Sequence, residues 1–148
     1  DLMAWSQMLR INTSLEYFRL WTKYSPEHET IDLVELANAL RFDSTLKRCH
    51  FFNVGSKAQK DRNGEAFVEM LDSNCALTNL TFSHCTKSIF WPKMKLLLEL
   101  NSRGRRQFME DSEHMSRDEW VNFLSEASNK IDYIFHFLLM NPLLCHLS

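Results

Sequence analysis

The chain has 148 residues, of which 45% are hydrophobic and 24% charged, a composition that fits one ordinary folded domain and gives no sign of disorder. With 17 basic residues against 19 acidic ones the formal net charge is -2, so no global field draws the chain to nucleic acid or to an anionic membrane. Binding to either would have to be local.

In chain order, a pattern repeats. Leu9-Arg-Ile-Asn-Thr-Ser-Leu15, Leu40-Arg-Phe-Asp-Ser-Thr-Leu46 and Leu71-Asp-Ser-Asn-Cys-Ala-Leu77 follow one another at a spacing of 31 residues. Upstream in the same register, Trp5, Leu36 and Phe67 coincide, as do Met8, Ala39 and Met70. Downstream, Phe18, Cys49 and Leu80 coincide, and so do Leu20, Phe51 and Phe82.

Each unit divides into two periodicities. Leu33, Leu36, Ala37 and Leu40 are spaced for one face of a helix, whereas Leu46, Cys49 and Phe51 alternate as a short strand requires. Between them lies a polar turn holding Asn12, Asp43 or Asn74, residues that cap backbone groups or accept a left-handed conformation. One helix and one strand cannot bury both their apolar faces alone. Successive units must therefore stack, with strands parallel and helices outside, into a curved solenoid. Three unrelated amphipathic helices in a compact α/β domain would have to reach the shared register by accident.

The pattern Leu15-x-x-Phe18-x-Leu20, repeated as Leu46-x-x-Cys49-x-Phe51 and Leu77-x-x-Leu80-x-Phe82, resembles the leucine-rich repeat family. The helical half and the period are similar to its ribonuclease-inhibitor-like subtype. The resemblance covers residues 1–90, about three units with the first incomplete, and implies an α/β solenoid whose strands line a concave face. The family expects Asn or Cys three residues after the last strand hydrophobe; Cys85 fits, while Lys23 and Val54 stand at the other two places. Members of the family mostly bind proteins, so a protein partner is what the resemblance implies.

Beyond the repeats, Met94-Lys-Leu-Leu-Leu-Glu-Leu-Asn101 reads as one more strand that closes the sheet, and Ser102-Arg-Gly-Arg-Arg106 as the turn that releases the chain. Ser116-x-x-Glu119 ahead of Trp120, Phe123, Leu124 and Ala127 is a capping-box pattern leading into an amphipathic helix. A last helix is expected from near Asn129, carrying Ile131, Ile134, Phe135 and Leu138, until Asn141-Pro142 stops it. Residues 91–148 are thus read as a closing strand and a helical cap. The apolar run from Ile131 to Leu147 is interrupted by Asp132, His136, Asn141 and Pro142, so it reads as a buried terminal helix rather than a membrane span.

At the other end the chain opens on Asp1-Leu-Met-Ala-Trp5, inside the first helix and without a secretory pattern. Leu2, Trp5 and the strand from Leu15 to Leu20 would then face water, so further repeats or a partner are expected to cover that edge. Cys49, Cys75, Cys85 and Cys145 are widely spaced with no CxxC pair, which favours reduced thiols and an intracellular setting.

Recognition is expected on the side chains between the buried strand positions, because neighbours on a strand point to opposite faces. The register aligns Tyr17, Arg48 and Asn79 in one row, Arg19, His50 and Thr81 in a second, and Trp21, Phe52 and Ser83 in a third. Tyr, Trp and Arg supply rigid area and polar tips, which makes Trp21 and Phe52 the expected anchors unless the loop after Trp21 covers them. Arg103, Arg105 and Arg106, with Lys93 and Lys95 nearby, form a second candidate, a contact for an anion or acidic partner or else a solvated turn.

The search for chemistry gives less. Cys49 and His50 are neighbours on one strand and must face opposite ways, so they cannot form a nucleophile and base. His84-Cys85 meets the same objection, and Cys75 is too far from Cys85 for a compact zinc site. Glu110, Asp111 and Glu113 read as a solvated face, and Gly55 and Gly64 are isolated, so no phosphate loop is present. The expectation is a protein-interaction module or scaffold subunit in a larger complex, with no cofactor, no metal and no catalytic residue. The alternative is a regulatory or substrate-recruiting C-terminal arm of a longer enzyme.

Overall fold

Alternating side chains build three short strands, β1 (Tyr17–Trp21), β2 (Arg48–Phe52) and β3 (Asn79–Phe82), in a mixed α/β arrangement. The computed structural model describes residues 2–21, 32–52, 57–82, 88–106, 116–126 and 131–140. Two compact units divide the chain, residues 1–106 and 107–148. The strands belong to the first and form one parallel sheet in the order β1-β2-β3.

Strand pairing follows the sequence register residue for residue. Tyr17 lies opposite Arg48 and Arg48 opposite Asn79; Phe18, Cys49 and Leu80 match, as do Leu20, Phe51 and Phe82. The bonds leading into the strands repeat too. Lys47 and Arg48 amides donate to the Glu16 carbonyl, at 2.9 and 3.1 Å, and Thr78 and Asn79 amides donate to Lys47 at the same two distances.

Between and after the strands run α1 (Leu2–Ile11), α2 (Val34–Leu40), α3 (Lys57–Ser73) and α4 (Trp91–Ser102). Each packs on the next in chain order. Their apolar stripes meet the inner face of the sheet, where Leu9, Leu40 and Leu71 are each no more than 1% exposed. Full burial of one such side chain stabilises by roughly 1.5–3 kcal/mol. An aromatic column runs through this layer: the Phe51 ring stacks on Phe82 at 5.4 Å, and Phe67 of α3 meets both, at 5.4 and 5.0 Å. Truncating Phe51 to Ala would open the centre of the column and cost about 3–5 kcal/mol. On the β1 side, Trp5 packs against Phe18 at 5.8 Å but stays 44% exposed, unlike its register mates Leu36 and Phe67.

The polar turns cap backbone groups. The Oδ1 of Asn12 accepts from the Ser14 and Leu15 amides, that of Asp43 from Thr45 and Leu46, and that of Asn74 from Ala76 and Leu77, at 2.7–2.9 Å. Each side chain thereby turns the chain from helix into strand. Asn74 does more, because its Nδ2 donates to the carbonyls of Leu40 and Asp43, at 2.7 and 2.8 Å, and ties two units together.

One element departs from expectation. The run from Met94 to Asn101 is helical, part of α4, and closes no sheet. Leu96, Leu97 and Leu98 are consecutive and break strand alternation, whereas Met94, Leu97, Leu98 and Asn101 are buried at helical spacing. Pro92 in the first turn fits a helix start because its missing N–H is not needed there. The helix α4 packs on α3 within the compact unit of residues 1–106. Gly104, at φ +88°, terminates the helix in the left-handed conformation, its amide donating to the Asn101 carbonyl at 3.2 Å.

In the second unit, α5 (Arg117–Glu126) starts with the capping box: the Ser116 amide donates to Glu119 Oε2 at 2.7 Å and the Glu119 amide to Ser116 Oγ at 3.4 Å. The Ser116 hydroxyl, which donates to the same Oε2 at 2.7 Å, and after it the Ser116 amide hold the Glu119 carboxyl below its usual range. The last helix, α6 (Ile131–Met140), is not wholly buried, for Ile131, Phe135 and Leu139 are exposed.

Candidate functional site

The outer face of the sheet, away from the helices, carries the candidate site. Alternation sets it: Phe18 and Leu20 point inward, so Tyr17, Arg19 and Trp21 point outward, and the burial pattern of β2 and β3 follows the same rule. The eight residues expected there, Tyr17, Arg19, Trp21, Arg48, His50, Phe52, Asn79 and Thr81, come together on three adjacent strands. Ser83, expected to complete the third row, lies outside the described residues, as do the loop after Trp21 and Cys85.

Rings and a guanidinium interlock on this face. Trp21 and Phe52 stack at 5.3 Å with 25° between their planes, and Trp21 remains 69% exposed. Tyr17 meets His50 edge-on at 5.4 Å, and His50 lies 6.2 Å from Phe52. The Arg19 guanidinium carbon sits 5.4 Å from the Tyr17 ring centre and 5.6 Å from that of Phe52. Each such cation–ring contact contributes about 0.5–1 kcal/mol at an exposed site and restrains the long side chain. On β3 the face is polar, with Thr81 Oγ1 donating to Asn79 Oδ1 at 3.2 Å. Sequence reasoning placed all eight residues but not the Arg19 ring contacts, whose only signal was an arginine two positions from a tyrosine and diagonal to a phenylalanine.

Charge on this face is one-sided. The eight residues include two arginines and no carboxylate. Glu16, just before β1, is engaged by Lys47 at 2.7 Å, and that hydrogen bond and charge, with a smaller contribution from Arg48, hold its carboxyl below the usual range.

The arginine turn does not hold together as a site. Arg105 is 2% exposed, and its guanidinium donates to the carbonyls of Leu71, at 2.8 Å, and Asp72, at 2.7 Å. It is therefore unavailable to an external anion, a correction to the sequence expectation. Burial pushes its pKa down, against the pull of nearby Cys75 and Asp72. Arg103 is exposed and pairs with Glu99 at 3.3 Å, Arg106 is exposed, and Lys93 pairs with Asp72 at 3.0 Å.

Cys49 is fully buried beneath the site while His50 faces outward, so the two form no catalytic couple. Burial, with Asp43 adding to it, pushes the Cys49 thiol well up. Cys49 is buried and Cys75 half-buried, and no disulfide joins them; Cys145 lies outside the described residues. Among the described residues no three His, Cys, Asp or Glu side chains gather as a metal site would require, and no helix is long and apolar enough to cross a membrane.

A groove of about 500 Å³ lies along the turns after α1 and α2, which sequence reasoning missed. Its signal was Phe42, which lines the groove and is 86% exposed. Arg10 and Glu35 both line the groove and pair with each other at 3.5 Å, so its wall selects no ligand charge. Comparison of the chain with protein-family models and with curated proteins finds no match.

Proposed function

We propose that this chain is part of a leucine-rich repeat solenoid of the ribonuclease-inhibitor-like type, and that it binds a protein partner on the concave, strand-lined face. The observation that carries the reading is the outer sheet face, where Tyr17, Arg19, Trp21 and Phe52 form a rigid aromatic and cationic patch over a fully packed core. The matching of strand pairs to the 31-residue register supports the repeat assignment. Interfaces draw most of their binding energy from such residues, which bring area and polar tips at small entropic expense. The role is binding rather than catalysis, in an accessory or scaffold subunit.

The test is affinity purification from the native source with quantitative mass spectrometry, comparing the wild type with W21A/F52A. Both side chains leave the inner core untouched, so circular dichroism should be unchanged. Specific partners should be depleted about tenfold or more from the variant, the loss of one interface anchor being worth about 2 kcal/mol. An identical set of partners at identical yield would remove this face from consideration.

A further inference from the structure

The Arg19 ring contacts leave a particular part of the side chain available. The Arg19 guanidinium carbon lies close to two rings, 5.4 Å from the centre of Tyr17 and 5.6 Å from that of Phe52, and these contacts leave its N–H donors without a carboxylate among the described residues. A guanidinium restrained by two ring contacts keeps a planar fork that can engage a carboxylate through two parallel hydrogen bonds. Arg48 stands one strand over and one row down, opposite Tyr17, and Glu16, whose carboxyl its charge reaches, is already held by Lys47.

Strand geometry sets the distance between the two cations. Same-face rows are about 6.6 Å apart and neighbouring strands about 4.8 Å, so the Arg19 and Arg48 backbones are separated by about 8 Å. An extended peptide repeats its own same-side positions about every 6.6–7 Å. Two carboxylates spaced one residue apart therefore match the pair, with an apolar side chain beyond them reaching the exposed Trp21 ring. The polar β3 edge, where Asn79 and Thr81 bond each other, adds no charge to oppose this.

The same geometry disfavours nucleic acid. Stacking platforms need open ring faces, and here Phe52 gives its faces to Trp21 and Arg19 while Tyr17 is engaged by Arg19 and His50. Trp21 is the most open of these rings at 69% exposed, against 43% for Tyr17.

We infer that the partner's contacting element is an acidic extended segment, with alternating carboxylates seated on Arg19 and Arg48 and an apolar residue on Trp21. This deepens the proposed function and rests on it. The experiment is fluorescence anisotropy of the whole chain with three labelled probes: a synthetic peptide of alternating glutamates followed by leucine, its lysine counterpart, and oligouridylate. The glutamate peptide should bind best, with affinity falling as salt rises. R19E/R48E should weaken it by about tenfold or more, R19Q/R48Q less, and R19K should be weaker than wild type because a point charge keeps neither the fork nor the ring contacts.

Equal binding of the lysine peptide, indifference to both arginine double variants, or no measurable binding of the glutamate peptide would overturn the inference. Tighter binding of oligouridylate would overturn it in favour of a nucleic acid. The native partners separate this failure from that of the parent reading. If W21A/F52A loses them while R19E/R48E keeps them, the face is an interface but the acidic segment is wrong; if both variants keep them, the face itself is wrong.

Discussion

Arg105 donates to the Leu71 carbonyl at 2.8 Å, and Leu71 stands 31 residues beyond Leu40, whose carbonyl takes the Asn74 amide at 2.7 Å. The same orphan group at a helix end is thus satisfied by two different side chains. Asn101 now makes the other bonds, donating to the Asn74 and Leu77 carbonyls at 2.9 and 2.8 Å, and its own Oδ1 lies 3.4 Å from Arg105. Asn101 and Arg105 together replace what a single asparagine does one unit earlier.

Arg105→Ala should therefore destabilise strongly. It leaves the Leu71 and Asp72 carbonyls buried without their donors and removes a packed side chain, so about 2–4 kcal/mol is expected from urea unfolding. Arg105→Lys should retain part of this, because one ammonium cannot reach both carbonyls as the fork does. A change below about 0.5 kcal/mol for Arg105→Ala, the size of an ordinary surface substitution, would refute the role.

How far the sequence could be read follows from these residues. The register at Tyr17, Arg48 and Asn79 was legible because a repeated strand position repeats its pairing, and the same holds for the inner leucines. The turn at Asn12, Asp43 and Asn74 was legible for its local chemistry alone. Asn101 was hidden because it follows Asn74 by 27 residues instead of 31, which broke the register and let a helical leucine run pass for a strand. The burial of Arg105 was not legible, since an arginine in a basic turn resembles its solvated neighbours until the carbonyls it serves have been located.

Asn74 and Asp43 offer a matched comparison. Asn74→Ala removes two turn-capping acceptances and two bonds to the preceding unit, and should cost about 2–4 kcal/mol. Asn12→Ala removes only the turn bonds and should cost about 1 kcal/mol. Asp43 has an acceptor where Asn74 has a donor, and its Oδ2 is buried with no hydrogen-bond partner. Asp43→Asn should place an amide there, facing the Leu9 and Asn12 carbonyls by register, and stabilise by about 1 kcal/mol. Denaturant midpoints of the three variants at one pH check this order, and a destabilised Asp43→Asn would contradict it.

Gly64 tests packing between α3 and the segment before α4. A Cβ there would meet Ser88 Oγ at 2.7 Å and two atoms of Phe90 at 3.2 Å, although Gly to Ala normally favours a helix by about 1 kcal/mol. Ser88 cannot move without loss, since its hydroxyl bonds Asp61 and accepts from the Phe90 amide. Gly64→Ala should accordingly be destabilising by about 1–2 kcal/mol net, as overpacked sites are. Combined with Ser88→Ala it should be less harmful than the two separate effects added together, which a double-mutant cycle in urea measures.

Cys49 gives stability a dependence on pH whose sign is fixed by burial. Its thiol is pushed well above the ordinary value of 9.0, chiefly by desolvation, so the folded chain keeps this proton where the unfolded chain releases it. Below about pH 9 both states hold the proton and the thiol contributes no slope. Above it the unfolded state binds fewer protons, and stability should fall by up to about 1.4 kcal/mol per pH unit from this group. Cys49→Ala leaves a small cavity and lowers stability at pH 7, but it should flatten the alkaline limb relative to the wild type, other titrations cancelling in the difference. The same burial makes iodoacetamide react with half-buried Cys75 before Cys49 in the folded chain, and with both at similar rates once urea unfolds it. Parallel alkaline limbs for wild type and Cys49→Ala, or equal alkylation of both thiols in the folded chain, would show that Cys49 does not hold its proton beneath the site.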